Sequence, residues 1–510
     1  MTAPAMSEHR ATPDPRRWWA LAVIGLAQLM VVLDMTIVNI ALPSAQHALG
    51  MSDANRQWVI TAYTLAFGGL LLLGGRLSDL FGRKRSFITG LIGFAGASAI
   101  GGAATSSGML FGARALQGVF AALLAPAALA LLTTTFTDPR ERGKAFGVFG
   151  AIAGGGGAIG MLAGGALTQY LSWRWCLYVN VPVAIAAVIG ATSLLHDRPG
   201  DRARSRLDIP GVILGCGGLL AVVYGFSEAE PRGWSDALVL ALLAGGAALL
   251  AAFVLWQTRT RTPLLPLHIV RDRQRAGALI SMALVAVGMF GSFLFLTYYL
   301  QGVLHWSPLK TGLAYLPMTG AIIIGSTQIS ARLLTRVPPR WLAGPGMTMA
   351  AIGLALLTRL NIHSGYAGTV LPAILVLGLG MGCTFMAVIS TATGSVAPQD
   401  SGVTSAALNS TQQVGGSLGT ALLNTIAASA TTSWIAARAA GIRTPAQRGL
   451  LAARGTVHGF HVATWWGVGA LLLGALTVIL LVNAPAPGRA APDGAADTGR
   501  EPAQDEAVTA

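Results

Sequence analysis

Apolar runs of about twenty residues, separated by short polar segments, follow one another along almost the whole chain. A run of this length crosses a bilayer as a helix, because backbone groups left unpaired in lipid find no water to bond. The pattern therefore predicts an all-α integral membrane protein. Its fourteen spans are expected at residues 18–43, 57–75, 86–105, 108–134, 144–170, 176–195, 208–228, 236–257, 276–303, 310–332, 341–360, 366–395, 402–429 and 460–483.

The basic residues indicate how these spans are oriented. They concentrate in every second connecting segment, beginning with the one before the first span. Since cytoplasmic loops are enriched in Lys and Arg, this alternation predicts that both termini are cytoplasmic, and an odd number of spans would break it. The net charge of +14 is thus spread over short loops, and no basic soluble domain is present to bind nucleic acid.

A faint internal repeat predicts how the spans are grouped. GGRLSDLFGRKRSF follows the second span, and SARLLTRVPPRWL follows the tenth, at the matching place in the second half. Parallel halves of this kind are common in transporters, with the binding site at their interface. We expect six-helix bundles at residues 18–195 and 276–483, with two extra spans in the linker 196–275.

Four segments are expected to lie outside the spans. Residues 1–17 form a cytoplasmic tail, and residues 484–510, rich in Pro, Ala, Gly and acid, form a disordered one. Residues 258–275 mix basic and apolar side chains, which predicts an amphipathic connector on the inner surface. Residues 430–459 are expected to form the longest outer loop.

The first span contains a single charge, Asp34. A charge at such depth costs at least ~2.5–3.5 kcal/mol on insertion scales, so it usually faces a bundle interior and has a function there. Arg114 is the one base well inside a span, at a similar depth, so the two side chains could meet. If conformation or substrate changes their separation, the proton affinity of the carboxylate changes with it, and this coupling is our hypothesis. Two alternatives remain: a static ion pair, or a carboxylate near the surface.

The loop after the second span, Gly75–Arg85, reads GRLSDLFGRKR. Gly75 and Gly82 allow tight turns and close backbone approach. Asp79 can lie near a helix N-terminus or pair with Arg83, and such an ion pair can lock one of two states. The alternative is a basic loop that only sets topology, which leaves Asp79 unexplained.

Small and amide residues supply the remaining candidates. Gly156, Gly160 and Gly164 form tandem GxxxG on the fifth span, which predicts either a seam that moves during switching or plain helix packing. The substrate-facing candidates are the intramembrane amides Gln28, Asn39, Gln117, Asn409, Gln412 and Gln413. Acids are absent from spans nine to fourteen, which favours neutral, zwitterionic or monocationic substrates. The His residues have no metal-like spacing, and three Cys in or beside apolar runs predict no disulfide framework.

Several of these stretches together resemble one family. The loop Gly75–Arg85 resembles the signature loop of the major facilitator superfamily. LDMTIVNIALP at 33–43 resembles the first-helix motif of its fourteen-span drug:proton antiporters, and RALQG at 114–118 resembles their fourth-helix motif. The glycines of span five have the spacing of the antiporter motif, although Met161 stands where the family has proline. This resemblance implies the major facilitator fold, two six-helix bundles plus two extra central helices.

The resemblance also implies a function. It implies proton-driven secondary active efflux of amphipathic small molecules, such as drugs or antibiotics, by alternating access in a bacterial cytoplasmic membrane. Asp34 and Arg114 would couple protons, and the chain would act as a monomer with no cofactor besides the proton gradient. The alternative is a proton symporter or uptake facilitator on the same fold. A primary pump or membrane enzyme is disfavoured, since neither a G-x-x-x-x-G-K-[ST] loop nor an H-E-x-x-H motif occurs.

Overall fold

The computed structural model describes residues 16–52, 55–136, 138–195, 208–260, 263–264, 270–334, 336–393, 401–439 and 444–483. The regular structure of these residues is entirely helical. The predicted C-terminal tail, almost all of the N-terminal tail and the middle of the 258–275 connector lie outside the described residues.

Nine helices form the first part of the described chain. They are α1 (Arg17–Leu49), α2 (Trp58–Phe81), α3 (Arg83–Gly102), α4 (Ser107–Thr135), α5 (Pro139–Tyr170), the short α6 (Trp175–Tyr178), α7 (Asn180–Leu194), α8 (Ile209–Arg232) and α9 (Ala237–Arg259).

The second part contains longer and more broken helices. They are α10 (Arg273–Tyr298, continued by the π-helical Tyr299–Val303), α11 (Pro308–Ala314), α12 (Leu316–Ile324, continued by the π-helical Gly325–Ser330), α13 (Ala331–Leu333), α14 (Arg340–Leu357), α15 (Leu371–Thr393, preceded by the π-helical Tyr366–Val370), α16 (Ser401–Ala436) and α17 (Pro445–Leu481). Each of the fourteen predicted spans therefore overlaps a helix of the described chain. Ten of these helices are long and apolar enough to cross a membrane.

Polar N-caps define where several helices begin. Asp208, Asp236 and Asp272 accept backbone N–H bonds at the starts of α8, α9 and α10, and Ser106 does so for α4. Such side chains satisfy amide groups that have no partner within the helix. The predicted span boundaries at these positions are accordingly within a few residues of the observed ones.

The prediction of a long outer loop at 430–459 is wrong. Helix α16 continues to Ala436, and α17 begins at Pro445, well before the predicted start of the last span. Thr444 and Gln447 form a reciprocal capping box, with proline at the first turn. This T-x-x-Q signal, present in the sequence, starts a helix among residues too polar to be recognised as a span.

The helices pack in two groups and a pair. Most of the helices α1 to α7 pack mainly with one another, and most of α10 to α17 do the same. Between the two groups, α11 packs mainly on α5, and α2 packs on α16. Helices α8 and α9 pack on each other, and α8 also contacts α2 and α16. The most apolar part of α9 is only 11% buried, against 56% for α1, so α9 is peripheral. The predicted division into bundles at 18–195 and 276–483 stays a prediction.

Candidate functional site

A buried ion pair joins α1 to α4. Asp34 on α1 is 0% exposed and Arg114 on α4 is 1% exposed. Arg114 Nη1 donates to Asp34 Oδ2 across 2.5 Å. Solvent screens such a pair very little, so the two charges interact strongly. The predicted meeting of these side chains is therefore present in the structure, whereas their role in proton coupling stays a prediction.

Two amide side chains complete the surroundings of the carboxylate. Gln117 Nε2 and Asn180 Nδ2 donate to Asp34 Oδ1 across 2.9 and 2.8 Å. Both amides also donate to the hydroxyl of Ser98 on α3, across 2.6 and 3.2 Å. Four helices, α1, α3, α4 and α7, thus meet at one carboxylate. Among the described residues, the groups that hydrogen-bond Asp34 are all donors, an arrangement that stabilises an anion.

Arg114 has partners besides Asp34. Its Nε donates to the carbonyl oxygen of Val59 across 2.9 Å, and its Nη1 also lies 2.8 Å from Gln117 Oε1. Its guanidinium carbon lies 4.4 Å from the ring centroid of Tyr63, close enough for a cation–π interaction. These contacts do not require a charge on Asp34. The guanidinium would therefore remain partly satisfied if the carboxylate became neutral.

Sequence reasoning did not identify Tyr63, Ser98 or Asn180 as members of this site. Asn180 is an amide at the beginning of an apolar helix, and Ser98 is a hydroxyl in an apolar span. The polarity of these side chains within apolar segments was a sign that they have polar partners inside the bundle. Which helix face each occupies depends on packing between α3, α4 and α7, which the sequence does not specify.

The predicted glycine seam of α5 lies against α1, the helix that carries Asp34. A Cβ on Gly156 would lie 3.1 Å from Val32, and one on Gly164 would lie 2.8 Å from the carbonyl oxygen of Ile37. A Cβ on Gly160 would collide with Thr36. Only glycine allows so close an approach of the two backbones. The packing is as predicted, and a role of this seam in switching stays a prediction.

At Met161, where the resemblance implies proline, α5 continues as a helix to Tyr170. A Cβ on Gly312 of α11 would collide with the carbonyl oxygen of Met161, and one on Gly165 would lie 2.7 Å from Leu309. This turn of α5 therefore packs closely against the second helix group.

The loop between α2 and α3 matches its prediction in part. Gly82 has φ +99° and joins the two helices in a tight turn, after which Arg83 begins α3. The expectation of close backbone approach at Gly75 is wrong, since a Cβ there would lie 3.7 Å from Pro126. The close approach is at Gly74, where a Cβ would collide with the carbonyl group of Ala122. Asp79 lies in the last turn of α2, and its side chain is outside the described residues.

The six predicted substrate-facing amides occupy different environments. Gln117 belongs to the Asp34 cluster. Asn39 and Asn409 donate to carbonyl groups of their own helices, at Met35 and Ser405. Gln28 and Gln412 are half-buried, whereas Gln413 is 5% exposed and faces α1.

Comparison with known proteins decides the family. The model described as Major Facilitator Superfamily matches residues 24–420. The chain belongs to the major facilitator superfamily. Its relatives include the puromycin resistance protein pur8 of Streptomyces alboniger, which is 56% identical over 473 residues and 92% of each chain. The cephamycin export protein CmcT of Amycolatopsis lactamdurans is 37% identical, over 81% of this chain and 85% of that protein.

Solved structures show the same fold at low sequence identity. A bacterial homologue of the human lysosomal transporter Spinster, crystallised in an inward-facing and unoccupied conformation, has a TM-score of 0.65 and 17% identity. The match covers 93% of this chain and all of that one. The POT family transporter PepTSo has a TM-score of 0.63 and 14% identity, over 92% and 98% of the two chains.

Membership of this superfamily confirms the predicted class of protein. The chain is a multi-pass membrane transporter and not an enzyme. The predicted resemblance to drug:proton antiporters agrees with three of its relatives, which carry names of antibiotic resistance or export proteins.

In this transporter the two helix groups contact each other at the end of the molecule that is predicted to face the outside of the cell. Arg56, before α2, is 6% exposed, and its guanidinium carbon lies 3.8 Å from the ring centroid of Tyr298 on α10. Arg56 Nε donates to Asn424 Oδ1 on α16 across 3.3 Å. The hydroxyl of Tyr298 donates to Gln46 on α1, and Gln301 donates to the carbonyl oxygen of Ile40 across 3.0 Å.

Helix α8 of the extra pair is attached at the same end. The hydroxyl of Ser227 accepts from Gln57 Nε2 and Trp58 Nε1, across 3.0 and 2.9 Å. Thr425 of α16 donates to the carbonyl oxygen of Phe226 across 2.9 Å. Helix α8 thus bonds to both helix groups, through α2 and through α16.

Proposed function

We propose that this transporter is a proton-driven exporter of an antibiotic or a similar amphipathic small molecule. One observation carries the proton coupling. The groups that hydrogen-bond Asp34 within the described chain are all donors, so its surroundings are built for a carboxylate and not for a carboxylic acid. A proton added to either oxygen would face a donor already in place. Proton uptake would therefore break at least one of these contacts and rearrange the cluster.

The rearrangement would act on helix packing. If Oδ2 takes the proton, the ion pair to Arg114 on α4 is lost. If Oδ1 takes it, Gln117 or Asn180 must move, and Asn180 is the first residue of α7. In both cases α1 changes its bonding to its neighbours within the first bundle. A two-state transporter can use such a local charge change to favour one conformation.

The relatives support an antibiotic as substrate. The puromycin resistance protein is 56% identical over nearly the full length, and two other relatives carry the names of cephamycin and tetracenomycin export proteins. Puromycin, an aminonucleoside, is accordingly the first compound to test. The compound exported in the cell is then found by widening the panel to β-lactams and polyketides.

The proposal includes a topology and an energy source. Both termini would be cytoplasmic, with bundles at 18–195 and 276–483 that alternate access to a central site. The proton gradient would replace any cofactor, and a monomer would suffice. The alternation of basic segments along the sequence supports this orientation.

Transport into inverted membrane vesicles tests the proposal. We expect puromycin to accumulate when the vesicle interior is acidic, and to cease accumulating when a protonophore collapses the gradient. Asp34→Asn should insert normally and abolish gradient-driven accumulation. Movement of substrate with protons in the same direction would instead establish the symporter alternative, and dependence on ATP would refute secondary transport.

A further inference from the structure

The seam between α2 and α16 is a contact between the two helix groups that must part during alternating access. The helices run antiparallel, with Gly68 beside Gln413 at one end and Gln57 bonded to Asn424 at the other. The hydroxyl of Ser410 donates to the carbonyl oxygen of Gly68. Polar side chains thus occupy both ends of this seam.

Three polar atoms in this seam are buried without a hydrogen-bond partner in the described chain: Gln413 Oε1, Ser417 Oγ and Thr61 Oγ1. Gln413 is 5% exposed, and Ser417 and Thr61 are 0% exposed. The amide nitrogen of Gln413 reaches only the thioether of Met35 on α1, at 3.8 Å. Sulfur is a weak acceptor, so this amide is poorly satisfied at both ends.

Helical spacing places these residues on facing surfaces. Ser417 lies one turn beyond Gln413 on α16, and Thr61 lies one turn beyond Gln57 on α2. Some other hydroxyls on the same two helices are satisfied, such as that of Thr420, which donates to Gly416 across 2.7 Å. Those of Tyr63 and Ser78 on α2 also have no hydrogen-bond partner in the described chain. The absence of partners is therefore not general to the hydroxyls of this seam.

We propose that Thr61, Gln413 and Ser417 form a substrate-contacting strip that is uncovered when α2 and α16 separate. Buried polar atoms without partners are unfavourable, and separation lets water or substrate bond them. The strip offers one amide and two hydroxyls and no charge. It therefore suits hydroxyl, amide and amine groups that exchange hydrogen bonds. This assignment rests on the proposed export function and specifies the chemistry of the substrate.

The position of the strip connects it to the proton site. Gln413 contacts Met35, the residue after Asp34. The described helices of the second group, from Arg273 to Leu481, contain no Asp or Glu. Recognition by the strip would thus depend on hydrogen bonding and not on pairing with a substrate cation.

Three variants and one control test this assignment in inverted vesicles. The variants are Gln413→Met, Ser417→Ala and Thr61→Val, each of which removes hydrogen bonding with little change in size. The control is Thr420→Val, whose hydroxyl bonds only its own helix. The substrates are puromycin and tetraphenylphosphonium, a cation with no hydrogen-bonding group.

We expect each variant to raise the KM for puromycin about two- to tenfold, which corresponds to the loss of one hydrogen bond. The KM for tetraphenylphosphonium and both KM values of the control should stay within twofold. The purified variants should melt at or above the wild-type temperature, because each loses an unsatisfied buried atom. Unchanged puromycin KM in all three variants, or an equal rise for both substrates, would overturn the assignment.

Failure of the export function gives a different result. In that case wild-type vesicles accumulate neither compound, whatever the variant does. The melting temperatures still test the structural premise, because a variant that melts well below the wild type must have lost a hydrogen bond that holds the seam together. That outcome would also overturn the assignment.

Discussion

Charge removal at the buried pair gives the sharpest test of the site. In Asp34→Asn, an amide of the same shape replaces the carboxylate. The two oxygens of Asp34 accept from Arg114 on one side and from Gln117 and Asn180 on the other. Whichever way the new amide points, its NH2 group meets a donor. The variant therefore loses both the ion pair and one set of hydrogen bonds.

The magnitude follows from burial. Removal of one partner from a buried ion pair costs about 3–5 kcal/mol, because the other charge is left uncompensated. Arg114 keeps the carbonyl of Val59 and the ring of Tyr63, so we expect Asp34→Asn to cost about 3 kcal/mol, at the lower end. Arg114→Met leaves a carboxylate that can escape by binding a proton, whereas a guanidinium cannot lose one. The loss of stability in Arg114→Met should therefore become smaller as pH falls, whereas the loss of stability in Asp34→Asn should not.

Thermal melting of the purified protein in detergent, at pH 5 and pH 8, measures these effects. We expect the double variant Asp34→Asn/Arg114→Met to melt above Asp34→Asn, because it carries no uncompensated charge. This ordering shows that the pair is coupled. Single-variant deficits that simply add in the double variant, or an Asp34→Asn protein as stable as the wild type, would refute the reasoning.

Three further variants examine other contacts. Gly164→Ala should lose transport and melt lower by an amount equivalent to about 1–3 kcal/mol, because its Cβ would lie 2.8 Å from the carbonyl oxygen of Ile37. The control is Gly155→Ala on the same helix, whose Cβ meets no neighbour within 4 Å and which should resemble the wild type. Asn180→Ala should keep the ion pair but shift the pH dependence of puromycin transport, and an unchanged pH profile would exclude it from the site. Arg56→Gln should weaken the contact at the predicted outer end and increase labelling of cysteines introduced there, and equal labelling rates would argue against a gate.

The sequence predicted those features that depend on how deep a residue lies in a span and on the spacing of residues along a helix. Asp34 and Arg114 were recognisable because each is a charge inside an apolar run at similar depth, and the α5 seam because glycine recurs every four residues. The direction of a side chain around its helix was harder to predict. Gly74 and Gly75 differ by one position, or about 100° of rotation, and only Gly74 meets the backbone of α4.

The same limit explains the partners that were missed. Asn180 reaches Asp34, and Ser98 reaches the amides of Gln117 and Asn180, only because α7 packs against α1 and α3 and because α3 packs against α4. No local pattern specifies that arrangement. The prediction of where α17 begins was wrong for another reason. Its first turns are too polar for a membrane span, and the hydropathy of the run outweighed the capping box at Thr444, a local signal that would have placed the helix start.

Helix α1 brings the parts of the proposed mechanism together over four residues. Asp34 faces α4 and α7, Met35 contacts Gln413 on α16, and Thr36 and Ile37 lie against the glycines of α5. Since successive residues point about 100° apart, a small rotation of α1 changes all three contacts together. A proton on Asp34 would thus act at the seam with α5 and at the substrate strip without any longer path between them. Met35→Leu, which keeps the size but removes the sulfur, should therefore alter puromycin KM while leaving the melting behaviour of the Asp34–Arg114 pair unchanged.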